Sequence, residues 1–112
     1  MATSLPSHAV LGPLTYAISS KRRDWRNLAP GDIDGHWGMT VHAAGAILLN
    51  PDSNPDLLRV TLLHELLHAA AFAGGQLTDR KRTEEEWVAL VAPQLLDALT
   101  RSPGLIEYLA GE

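Results

Sequence analysis

His64, Glu65 and His68 are the residues of this 112-residue chain whose types and spacing are best suited to chemistry. They form H-E-x-x-H inside an apolar run, Leu57 to Phe72, that predicts a buried helix. Side chains four apart lie one above the other on a helix. Both imidazoles can therefore close on one Zn²⁺ ion, each supplying a nitrogen at roughly 2.0–2.1 Å. Glu65 then projects beside the ion rather than onto it, where its carboxylate can take a proton from water activated by the metal. Two histidines and a glutamate are costly to bury in an apolar helix without partners, and a metal ion supplies one.

A catalytic zinc ordinarily takes three protein ligands and keeps one position open for water. The chain has no cysteine, so the third ligand must be a histidine or a carboxylate. The acidic run Glu84-Glu85-Glu86 opens the next predicted helix, where carboxylates suit the helix dipole. If Val88, Val91, Leu95 and Leu99 mark the buried face, Glu86 points away from it, and Glu84 and Glu85 flank it on either side. Glu86 also completes a capping box with Thr83. His36 and His42 are competitors from the preceding strands, each reading more simply as a surface or loop histidine. His8 lies in the N-terminal stretch and is set aside. Tyr16 and Tyr108 could polarise a carbonyl, but nothing in the sequence selects either.

The elements that must position these groups follow from local patterns. Residues 1–8 are polar, contain Pro6, and read as a loose arm. Leu14 to Ile18 reads as a short strand. Residues 19–35 read as a loop with a helical turn near Trp25. His36–Val41 and Ala46–Asn50 read as a hairpin joined through Gly45 at positive φ, with Trp37, Met39 and Val41 on one buried face. Ile47-Leu48-Leu49 reads as a strand covered on both sides. Asn54 and Pro55 fit the N-cap and first position of the H-E-x-x-H helix, and Gly74-Gly75 ends it near Ala73. A second helix starts at Thr83, with Pro93 expected to kink or split it. Ser102-Pro103 opens a last short helix to about Leu109.

The expected fold is therefore α+β, a single domain over 1–112. A short three-stranded sheet or hairpin packs on the H-E-x-x-H helix and the following glutamate-bearing helix. The composition, 46% hydrophobic and 20% charged, is that of an ordinary globular protein. A net charge of −4 leaves no basic footprint for nucleic acid, and Lys21-Arg22-Arg23 and Arg80-Lys81-Arg82 read as solvated loop charge. No leader pattern or membrane-length apolar stretch is evident, so a cytoplasmic location is expected.

Thr61 to Ala69, Glu84 to Val88 and Pro93 to Leu96 together resemble small phage-encoded metallopeptidase-like proteins related to the ImmA/IrrE group of gluzincin-like zinc peptidases. That group pairs H-E-x-x-H with a glutamate on the next helix, in a pattern of the form E-x-x-A-x-x-F-A. Laid on this chain, the pattern runs from Glu85 to Ala92 and selects Glu85, departing at Val88 and Val91. The resemblance covers about residues 36–109. It implies a small zincin-like domain, Zn²⁺ held by His64, His68 and Glu85, Glu65 as general base, and a protein or peptide substrate. Phage origin, and so the host-cell cytoplasm, is implied as well. The competing expectation is a non-catalytic phage assembly or regulator-binding protein in which zinc braces a small core.

Overall fold

A computed structural model describes residues 4–74 and 84–111, apart from the side chains of residues 84, 85 and 88. The strands are β1 (His8–Leu11), β2 (Leu14–Ser19), β3 (Gly38–Val41) and β4 (Ala46–Leu49). The helices are α1 (Arg22–Leu28), α2 (Pro55–Ala73), α3 (Glu84–Arg101) and α4 (Leu105–Ala110). The sheet order is β1-β2-β4-β3, with β2 and β4 parallel and the other two pairs antiparallel.

The α+β class is as expected, but the sheet has four strands rather than three. The additional strand, β1, forms a hairpin with β2 across Gly12 and Pro13 and buries Ala9 and Leu11. The stretch read as a loose arm is packed from Leu5 onward. Leu5 lies against the core, Pro6 is buried, and the Ser7 carbonyl accepts from the Ile18 N–H at 2.9 Å.

Strand β4 is central, and all four of its residues are buried, as its unbroken apolar run requires. Ile47 and Leu49 face the main core, which α2, α3, β1 and β2 complete through Leu62, Leu66, Ala69, Ala98, Leu11 and Ile18. Ala46 and Leu48 face a smaller core under Trp25 of α1, whose indole N–H donates to the Leu49 carbonyl at 2.9 Å. Met39 and Val41 join this smaller core. Trp37, expected on the same buried face, is instead 57% exposed, because it lies just before the first residue of β3.

The connection from β3 to β4 is a single 3₁₀ turn, His42–Ala44, closed by Gly45 at φ 61°. Helix α2 begins as its sequence dictates, with the Asn54 side chain accepting from the Leu57 N–H at 2.9 Å and Pro55 in the first turn. Helix α3 runs through Pro93 as one helix rather than splitting there. Thr83, its expected cap, lies outside the described residues. Among the described residues no helix is long and apolar enough to cross a membrane.

Candidate metal centre

Helix α2 presents two faces in a regular alternation. Thr61, Leu62, Glu65, Leu66, Ala69 and Ala70 are buried against the sheet, whereas Leu63, His64, Leu67 and His68 are exposed. The two imidazoles therefore stand on the open side, and the glutamate between them turns inward. The apolar run predicted burial all round, and the histidine face departs from it.

The Nε2 atoms of His64 and His68 are 3.1 Å apart, with ring planes 70° from each other. Two nitrogens so close on one exposed face can both reach a single ion at roughly 2.0–2.1 Å, so this donor pair fits zinc. Glu65 is only 6% exposed. Its Oε1 accepts from the Thr40 hydroxyl at 2.8 Å, and its Oε2 lies 4.0 Å from His64 Nε2. One carboxylate oxygen is thus anchored to β3, while the other looks toward the histidine pair.

Thr40 was not anticipated from the sequence. A signal was present, because Met39 and Val41 face the smaller core and a strand alternates. Gly38 and Thr40 must then face α2. Gly38 does so at very close range, its Cβ position lying 2.5 Å from Thr61 Cγ2 and 3.3 Å from Glu65 Cγ.

Glu85, expected as third ligand, and its rival Glu84 fall in the first turn of α3, with side chains outside the described residues. Glu86 is exposed, as the helical wheel required. Among the described residues no group of three or more His, Asp or Glu is arranged to hold a metal ion. His36 is exposed and lines a cavity with His64 and Glu65. His8 sits in β1, at the sheet edge opposite β3. Tyr108 packs against the main core from α4.

His42 is neither a free surface nor a free loop histidine. Its ring stacks on Phe72 of α2, with centroids 4.1 Å apart and planes 9° from parallel. Its Nδ1 is 2.9 Å from the hydroxyl of Tyr16, a residue buried to 1% exposure. Burial lowers the His42 pKa below the ordinary imidazole value, the nearby His68 lowers it further, and Glu65 opposes both. The folded chain thus takes up this proton at lower pH than the unfolded chain does. Stability from neutral His42 is complete above the ordinary value of about 6.5 and drains away as pH falls toward the folded pKa. Urea midpoints measured from about pH 7 to 5 should fall, and fall less in His42→Gln, whose amide can still meet the Tyr16 hydroxyl. Equal slopes for the two proteins would show that His42 does not titrate this way.

Compared with known proteins, the chain matches no family model, no curated protein and no solved structure.

Proposed function

We propose that the chain is a zinc-dependent metallopeptidase of the ImmA/IrrE-like, gluzincin-like kind, acting on a protein or peptide substrate. The observation that carries this reading is the convergence of His64 and His68 Nε2 on the open face of α2, beside a buried Glu65 with one anchored oxygen. Zinc, when bound there, supplies Lewis acidity that acidifies water and polarises a carbonyl. His64 and His68 would hold it, with Glu85 as the third ligand that the resemblance implies. Glu65 takes the proton of the attacking water on Oε2 and delivers it to the leaving amide nitrogen. Thr40 keeps Oε1 occupied, so the base presents a fixed oxygen. The openness of the histidine face supports a catalytic rather than a closed structural site, since the His64 side chain is 66% exposed.

Zinc content of the purified protein tests the donor set. About one equivalent is expected, and none would overturn the reading. Alanine variants then locate the third ligand. Glu85→Ala should lose zinc on dialysis and loosen α3, because the metal would tie that helix to α2. Glu86→Ala should keep zinc and cost only a capping contribution of about 0.5–2 kcal/mol. Loss with Glu84→Ala alone would shift the register by one residue. Retention in all three variants would move the ligand to His36 or His42.

A further inference from the structure

The face of the sheet away from α2 carries α1, which packs on Ala46 and Leu48 through Trp25. Ile33 joins the same small core, so α1 and the chain from Gly31 to Asp34 are each anchored there by an apolar side chain. Between them opens a cavity of about 300 Å³ that shares no residue with the histidine pair or Glu65. Arg22 and Arg26 line it from α1, Asp32 and Asp34 from the facing chain, and Trp25 and Ile33 supply its apolar lining. We infer that this cavity binds a small zwitterion of the ω-amino-acid type, its carboxylate on the arginines and its ammonium on the aspartates. The inference goes beyond the peptidase reading and does not depend on it.

The placement of charge selects this ligand. Arg22 and Arg26 stand four apart on α1, so they share a face, where like charges repel. Arg22 pairs with Asp52, which does not line the cavity. Asp32 accepts the Ile33 N–H on Oδ1 at 3.1 Å and keeps Oδ2 open. Among the described residues, Arg26 and Asp34 have no hydrogen bond or ion pair, although they line one cavity with opposite charges. Cations and carboxylates thus flank a gap that they do not close by pairing with each other. The arginines would repel a divalent cation there, and the aspartates a phosphate. A molecule carrying both signs matches both walls. A guanidinium fork suits a carboxylate in particular, since it can donate two parallel bonds to it. The volume lies at the foot of the roughly 300–1,000 Å³ range of small-molecule sites, which suits a short chain with a charge at each end. All four charged side chains are exposed, so each attraction is modest and sensitive to salt.

Three probes of one length test it: 6-aminohexanoate, hexanoate and hexylammonium. Each is titrated into the full chain at low salt, with the Trp25 indole N–H and the Gly31 and Ile33 amides followed by NMR. 6-Aminohexanoate should shift these signals saturably and bind roughly fivefold or more tightly than either singly charged probe. Arg26→Gln should remove its advantage over hexylammonium, and Asp34→Asn its advantage over hexanoate. Both positions are exposed, so neither substitution should disturb the fold. Salt at about 1 M should erase both advantages. Equal binding of the three probes, or shifts confined to other residues, would overturn the proposal. Hexanoate binding as tightly as the zwitterion would make the cavity an anion site and overturn it too. So would an advantage that survives its own substitution. None of the probes contains a peptide bond, so each result stands apart from zinc and from hydrolysis.

Discussion

Glu65→Gln should keep its zinc and lose peptide hydrolysis by roughly 10²–10⁴-fold, the contribution of a positioned general base. The substitution is informative because it changes so little else. Oε1 of Glu65 is an acceptor of the Thr40 hydroxyl at 2.8 Å, and a glutamine oxygen can accept the same bond. The side chain is nearly buried, so an isosteric amide keeps the packing between α2 and β3. What the amide cannot do is take a proton from water. Zinc content and hydrolysis of a peptide mixture, measured on the same preparations, separate metal retention from catalysis. A variant that cleaves as fast as the parent would end the proposed chemistry. Absence of cleavage by the zinc-loaded parent and variant alike would instead favour the reading in which zinc serves only as a brace, and chelation would then loosen the fold in both.

The second large effect is expected at a residue with no side chain. Gly38→Ala should destabilise the protein by about 1–3 kcal/mol, as overpacking does, and should also impair hydrolysis. An added methyl would sit 2.5 Å from Thr61 Cγ2, 3.3 Å from Glu65 Cγ and 3.3 Å from the Leu48 carbonyl oxygen. Thr61 is β-branched, buried and inside a helix, so its methyl cannot simply swing aside. Either β3 or α2 must move, and the Thr40–Glu65 bond spans that same contact. Gly31→Ala is the control. Its added methyl meets nothing within 4 Å and its φ is not positive, so stability should change by no more than about 0.5 kcal/mol. Urea denaturation gives both shifts. An unaltered midpoint in Gly38→Ala would mean that β3 and α2 have slack the geometry does not show.

What could be read in the sequence was what short-range rules govern. Asn54, Pro55 and Gly74 bracket α2 because caps act within one turn. The pairing of His64 with His68 follows from helical spacing alone. The covering of Ile47-Leu48-Leu49 on both faces was equally legible, since only a central strand tolerates such a run. Partners distant in sequence were not legible. The parallel pairing of β2 with β4 leaves no local mark on either strand, and it is this pairing that sends β3 to the sheet edge. β1 carries little sequence signal, because four residues beginning with a histidine show too short an alternation to count. Thr40 was missed for a related reason. Strand alternation says which residues share its face, but only the packing of α2 on β3 says that this face meets Glu65.

The N-terminal hairpin is fastened from the far end of the chain. The Ser102 hydroxyl oxygen accepts from the Val10 N–H at 2.8 Å, and Asp97 Oδ2 from the Gly12 N–H at 2.6 Å. Arg101 donates to the Gly12 carbonyl at 3.0 Å and also pairs with Asp97. β1 is an edge strand, and an edge with unpaired N–H groups is a template for another chain. On the ribosome, Val10 emerges 92 residues ahead of the serine that covers it. The edge is therefore covered only once the C-terminal end of α3 has packed, and it opens again whenever the segment from Asp97 to Ser102 peels away. Protection against mispairing is in this sense a property of the finished fold, delivered by the C-terminal end of α3.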